Sequence, residues 1–304
     1  MGRVPRASGP GPSGVLNVDK PSGLTSHDVV ARVRRLAHQR RVGHAGTLDP
    51  LATGVLVVCL GAATRLAEYL ADTDKEYRAT VRLGVRTDTW DADGTVIEER
   101  DASGVSREAV EAALAEFVGR IAQVPPMYSA LKREGEPLYR LARRGVSVER
   151  EPREVDVYAV TLETWAPPEV VFTVRCGKGT YVRSLAHDLG ERLGVGAHIT
   201  RLRRLAVGPL RAEDAVALAA LEAAGEGWIE YLVSPAAALA HLPGVTLGAE
   251  DVRRVQQGQA VAVETPAAEG PLLAHDAAGA LIAVLRPADA DGRWRPDKVL
   301  ETAG

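Results

Sequence analysis

The spacing of apolar residues changes period repeatedly along the chain. Residues 14–19, GVLNVD, read as a short apolar strand ended by Lys20-Pro21-Ser22-Gly23. Thr25 or Ser26 can cap a helix running to about residue 38. Its inner stripe is Val29, Val30, Val33, Leu36 and Ala37, with Arg32, Arg34 and Arg35 largely outside it. A short extended piece at 42–44 leads into a loop, AGTLDPLATG, and then a continuous apolar strand at 55–60. A helix is expected at 62–71 and an alternating, half-buried strand at 76–83. Ser106 caps an amphipathic helix ending at Gly119, and 137–144 is also helical in pattern. Strands at 155–165 and 170–176 precede a helix at 180–193. A strand at 197–207 then alternates arginine with apolar residues. This succession predicts an α+β fold with mainly antiparallel strands, not a regular βαβ array, and no repeat of fixed period occurs.

The ends of the chain differ in character. Residues 1–13, rich in Gly, Pro and Ser, read as a disordered tail. Near 210–245 the sequence turns acidic and alanine-rich. Residues 246–304, with a short helix at 249–257 and several β-like pieces, form a candidate separate module.

Composition narrows the classes. The chain has 304 residues, 46% hydrophobic and 25% charged, the balance of a globular protein. It contains no run of eighteen apolar residues and no secretory h-region. Cys59 and Cys176 stand far apart, so neither a disulfide framework nor a zinc site is expected, and a reducing cytoplasm is the expected location. The net charge of −3 hides an asymmetry: 31 bases and 26 acids lie before residue 213, against 6 bases and 14 acids from 213 onward. Residues 29–48 and 192–211 carry five arginines each with no acid, and 132–153 carries seven bases against four acids. Such clusters suit a phosphate-lined partner, so a nucleic acid is favoured over merely solvated helix faces.

Several apparent motifs fail on chemistry. Gly177-Lys178-Gly179-Thr180 has the wrong order for a Walker A loop. The segment 88–94, DTWDADG, lacks the bidentate carboxylate of a calcium loop and reads as a tight turn between strands. The seven histidines show no metal-binding spacing. The informative segment is 43–54, GHAGTLDPLATG. Asp49 is its one acid, placed among arginines that favour the ionised form. A carboxylate in a cationic cleft suits a nucleophile or base acting on a polyanion, although Asp49 could also simply cap a turn before Pro50.

The segment GHAGTLDPLATGVL resembles the catalytic motif of the TruB family of pseudouridine synthases. Four further segments resemble that family in its order. They are LNVDKPSGLTSHDVV, DKEYRATVRLGVRTDTWDADG, VPPMYSALKREGEPLYRLARRG and CGKGTYVRSLAHDLGERLGVGAHITRLRRLAVGP, together covering about residues 14–211. The resemblance implies the pseudouridine synthase fold, a mixed, mainly antiparallel sheet with flanking helices. The catalytic domain would span 14–245 with an insertion around 105–150, followed by a small PUA-like RNA-binding module at 246–304. It implies conversion of uridine-55 in the TΨC loop of tRNA to pseudouridine, after the base is flipped out of its stack. The product is an isomer of the substrate, so no redox cofactor, ATP or metal is required.

Site residues follow from the same resemblance. Asp49 matches the catalytic aspartate, acting at C1′, at C6 or by assisting elimination to a glycal. Arg183 matches the arginine that pairs with it; read alone, it could equally bridge to Asp188 on its own helix. Tyr77 matches the tyrosine that stacks on the target base. His44 matches a histidine inserted into the RNA. Lys20, Arg65, Lys178 and Tyr181 match positions lining the site or contacting RNA, and Leu202 would touch the base. Arg65 stands where lysine is common, which changes its hydrogen-bond geometry. The runs 29–41 and 132–153 are candidates for phosphate contact. A stand-alone monomer acting on tRNA, with no obligatory protein partner and no membrane, is expected. The rival readings are an enzyme of a guide-RNA particle, a tRNA-folding helper with incidental catalysis, and a nucleotide binder using GKGT.

Overall fold

The computed structural model describes residues 11–129, 131–133, 135–146, 148–263, 270–288 and 292–300. Residues 1–10 of the expected tail and parts of the 132–153 run lie outside the described residues. The elements of the larger body run β1 (Gly14–Lys20), α1 (Ser26–Leu36), β2 (Val42–His44), β3 (Thr53–Leu60), α2 (Ala67–Ala71), β4 (Lys75–Leu83), β5 (Val85–Thr87) and β6 (Val96–Glu99). They continue with α3 (Arg107–Ala115), β7 (Gly119–Gln123), β8 (Lys132–Arg133), β9 (Glu136–Pro137), α4 (Leu138–Arg143), β10 (Arg153–Ala166), β11 (Glu169–Cys176), α5 (Val182–Arg192) and β12 (Ala197–Val207).

One sheet organises this body, in the order β1, β3, β12, β4, β11, β10, β7. Neighbours are antiparallel except β3 and β12, which run parallel with Arg203 opposite Thr53 and Arg204 opposite Gly54. The apolar run of β3 is explained by burial on both faces. Leu56, Val58 and Leu60 enter a core shared with α1 and α5, while Val55, Val57 and Cys59 enter a second core with Leu66, Tyr69 and Leu70.

Local chemistry sets the helix ends. Thr25, not Ser26, caps α1. Its hydroxyl accepts from the Asp28 amide at 3.1 Å, and the Asp28 carboxylate accepts from the Thr25 amide at 2.9 Å. The helix capped by Ser106 stops at Ala115, earlier than the apolar pattern predicts. Phe117 extends the pattern by filling the core outside any helix, and Gly119 already opens β7 opposite Val157. The stretch predicted as one helix at 62–71 divides into a 3-10 turn, Gly61–Leu66, and α2.

Beyond residue 243, strands Gly244–Thr246, Val261–Ala262, Leu272–His275, Leu281–Pro287 and Arg293–Val299 make a separate five-stranded sheet with the helix Ala249–Gln256. It has its own core around Val255, Ile282 and Trp294. Leu273, Val284 and Leu300 leave that core to join Leu66, Tyr69 and Leu70, which fastens the module to α2. Arg65 donates to the Val299 carbonyl at 2.9 Å, and Lys298 pairs with Glu68 at 2.8 Å across the same boundary. No helix among the described residues is long and apolar enough to cross a membrane.

Candidate active site

The loop between β2 and β3 contains Asp49 and lies beside the parallel β3–β12 pair. Its backbone is held by side chains from three other elements. Ser26 turns its hydroxyl away from α1 to accept from the Leu48 amide at 2.8 Å. Lys20, at the end of β1, is fully buried and donates to the carbonyls of Pro21 (2.9 Å), Leu24 (2.6 Å) and Pro50 (3.2 Å). Arg204, on β12 and also buried, donates to the carbonyls of Val55 (2.7 Å) and Gly46 (3.3 Å). Gly54 makes that approach possible, because at its φ of +95° a Cβ would sit 2.2 Å from the Arg204 carbonyl oxygen. Burial pushes the Lys20 ammonium down to about 8, against the pull of Asp49.

Arg183 reaches the loop from the first turn of α5. Its Nε lies 2.9 Å from Asp49 Oδ2, and its Nη2 donates to Oδ1 at 3.1 Å. The guanidinium is only 4% exposed, whereas the Asp49 side chain is 35% exposed. The arginine is thus fixed and the carboxylate faces open space. Further partners complete the grip: the carbonyls of Tyr128 (2.8 Å) and Thr89 (3.2 Å), and the Asp91 carboxylate at 3.4 Å. Burial raises Asp91, with the Thr89 hydroxyl and Arg183 opposing it. Asp188 is not a partner of Arg183.

Asp49 and Arg183 line a pocket of about 800 Å³ with Tyr77, Tyr181, Leu202 and Lys178. Tyr77 and Leu202 are almost fully buried and offer flat and apolar surface. Burial pushes both Tyr77 and Tyr181 up, so each is a neutral phenol at ordinary pH. The Tyr181 amide donates to Gln123 Oε1 at 2.8 Å. Lys178 is 69% exposed and pairs with Asp72 at 2.7 Å. The arrangement presents an oriented carboxylate beside a slot suited to a planar, uncharged ring, with a cation at the rim.

Other expected site residues lie elsewhere. Lys20 meets neither pocket nor solvent; it supports the loop from beneath. His44 sits on β2, edge-to-face with His27 at 5.3 Å, and it is His27 that lines the pocket. Burial and the charge of His27 lower His44. Arg65 points to the C-terminal module. The acid-free run 192–211 is largely engaged within the protein: Arg203 with Asp19 at 2.8 Å, Arg192 with Glu116 and Arg211 with Glu76. Asp91, Ser26 and Arg204 were not singled out from the sequence as site residues. For Arg204 a signal exists: the period-2 alternation of β12 puts it on the buried face with Leu202 and Ala206.

A mixed sheet thus carries an aspartate–arginine pair beside a pocket lined by Tyr77 and Tyr181, the arrangement expected from the resemblance to pseudouridine synthases. Comparison with known proteins makes it specific. The family description TruB family pseudouridylate synthase (N terminal domain) matches residues 34–182, and tRNA pseudouridylate synthase B C-terminal domain matches 183–242. A Burkholderia mallei protein named tRNA pseudouridine synthase B is 49% identical over 95% of this chain and 97% of its own length. One of the same name from Dehalococcoides mccartyi is 43% identical over 94% and 96%. A chain from a solved Cbf5-Nop10-Gar1 complex is 30% identical with a TM-score of 0.71, covering 90% of this chain and 78% of that one. A chain from an H/ACA RNP bound to a substrate RNA containing 2'-deoxyuridine is 26% identical with a TM-score of 0.74, covering 95% and 85%. The chain belongs to the TruB family of pseudouridine synthases.

Proposed function

We propose that this protein isomerises uridine-55 in the TΨC loop of tRNA to pseudouridine. The N1–C1′ bond breaks, the uracil turns, C5 bonds to C1′, the C5 proton leaves to solvent and N1 takes one up from solvent, so atoms and electrons balance without a co-reactant. The observation that supports this best is the open carboxylate of Asp49, held by a buried, two-point Arg183 contact beside Tyr77 and Leu202. Asp49 serves as the nucleophile, or assists elimination to a glycal. Arg183 keeps the carboxylate aimed. Tyr77 stacks on the flipped base and Leu202 covers it. Lys178 and Tyr181, at the rim, receive the backbone and compensate in part for unstacking. Residues 14–245 act as the catalytic body, with the 105–150 insertion beside the pocket. The module at 246–304 is a PUA-like RNA-binding domain, and the protein works alone as a monomer. Unmodified tRNA tritiated at uracil C5 tests the reading. Wild-type protein releases tritium mapped to the TΨC loop and Asp49→Ala does not. Tight tRNA binding without release by the wild type would sink it.

A further inference from the structure

The turn between β5 and β6 holds a residue that the chemistry above leaves unused. Trp90 has φ of +64°, a conformation unfavourable for a bulky side chain and maintained only where surroundings enforce it. The enforcing contacts are visible. Its ring stacks on His187 with centroids 4.1 Å apart and planes 6° from parallel. The Arg150 guanidinium carbon lies over the same ring, 5.4 Å from its centroid. Its carbonyl accepts from the Ile199 amide of β12 at 3.1 Å.

The two neighbours of Trp90 are the residues that grip Arg183: Thr89 through its carbonyl and Asp91 through its carboxylate. His187 lies one helical turn beyond Arg183 on α5, so one face of that helix presents both the guanidinium and the seat for the indole. The buried Nδ1 of His187 makes no hydrogen bond among the described residues, so it is the flat ring that the stack uses. Arg150 lies at the end of the insertion and donates to the Pro125 carbonyl at 3.1 Å. Insertion, turn and helix therefore meet on one indole.

We propose that Trp90 is a positioning residue for the isomerisation. Seated on His187, it holds the turn in the conformation from which Thr89 and Asp91 orient Arg183, and Arg183 in turn orients Asp49. The inference rests on the function proposed above. A small displacement of an orienting group is enough to slow a reaction by one to two orders of magnitude, whereas loss of a merely space-filling ring lowers melting temperature alone.

Tritium-release kinetics on C5-labelled tRNA, with melting temperatures, test it. Trp90→Gly suits the positive φ and removes the stack. It is expected to lower kcat about 10-fold or more with KM within about twofold. Trp90→Phe restores the stack and most of kcat, and so does His187→Phe. His187→Ala, which leaves the turn sequence intact, repeats the Trp90→Gly loss and covers the case in which that variant does not fold. Wild-type kcat in Trp90→Gly or His187→Ala, or a Phe variant no better than Gly, overturns the inference. Absence of release by the wild type overturns instead the proposed function on which it rests.

Discussion

Arg183 meets Asp49 with two nitrogens, at 2.9 and 3.1 Å, while nine-tenths or more of the arginine and only about two-thirds of the aspartate side chain are shielded from water. The pair is therefore asymmetric. The cation is anchored by Tyr128, Thr89 and Asp91, and the anion is left open to the pocket. Losing the anchor should differ from losing the reagent. Asp49→Asn is expected to abolish tritium release and leave the Kd for tRNA within a few-fold of wild type. Arg183→Lys, unable to form the two-point contact, should retain activity reduced by roughly 100-fold or more. Single-turnover release alongside filter binding separates the two; equal residual rates in both variants would contradict the asymmetry.

Lys20 contributes to the site without touching it. Lys20→Met keeps the length of the side chain and removes the ammonium from three carbonyls; that of Pro50 keeps the Gly23 amide at 2.9 Å, while those of Pro21 and Leu24 lose the donor described above. Unsatisfied buried acceptors cost on the order of 1–3 kcal/mol each where water cannot reach them. Urea unfolding should show a lower midpoint, and kcat should fall with tRNA affinity nearly unchanged. Weakened tRNA binding with an unchanged urea midpoint would instead assign Lys20 to RNA contact.

Asp188 gives a pH test of burial. Burial pushes its carboxyl up to about 6 from an ordinary 3.8, against the pull of Arg192. A raised carboxyl contributes stability below about 3.8 that is lost as pH rises through about 6. Asp188→Asn removes this titration. Its melting temperature should exceed wild type by roughly 2–5 °C at pH 7.5 and show no advantage near pH 4. Calorimetry at both values decides; an advantage that is the same at both would assign it to something other than ionisation.

Lys178 and Arg65 are both basic and were matched to RNA on sequence grounds, yet they sit differently. Lys178 is at the pocket rim, while Arg65 is bonded to the Val299 carbonyl. Lys178→Ala should weaken tRNA binding and make the dependence of log K on log salt shallower by about one. Arg65→Met should leave that slope unchanged and speed hydrogen exchange in the Leu281–Pro287 and Arg293–Val299 strands. A slope change of equal size in both variants would place Arg65 on the RNA as well.

Local chemistry was legible from the sequence. The cap of α1 at Thr25 or Ser26, the apolar strand leading out of the Asp49 loop and the alternation of β4 and β12 are written in nearest-neighbour patterns, and the structure places those elements within a few residues of expectation. The Asp49–Arg183 pair came from family motifs, since 134 residues separate its members and no local pattern links them. What stayed hidden depends on pairing at long range. Arg204 looked like one of several RNA-facing bases until β12 was seen to lie parallel to β3, with its guanidinium under the loop. Asp91 looked like a turn residue, bonded to the Thr89 hydroxyl and the Asp93 amide, and only the arrival of Arg183 on α5 gives it a partner outside the turn. Gly119 looked like a helix terminus because Phe117 and Val118 prolong the apolar pattern, although it begins an edge strand.

The three holders of the Asp49 loop lie at positions 20, 26 and 204, on a strand, a helix and a distant strand, and they grasp it mainly by backbone carbonyls. Transplanting residues 45–54 into another scaffold would thus carry over the reagent and forfeit its pose. Ala45, Leu48 and Ala52 are buried in the two cores and Gly46 and Gly54 hold positive φ, so the loop also depends on its own residues to keep its path. The unit that can be inherited or engineered here is the junction of three chain segments, and the ten-residue motif is the visible portion of it.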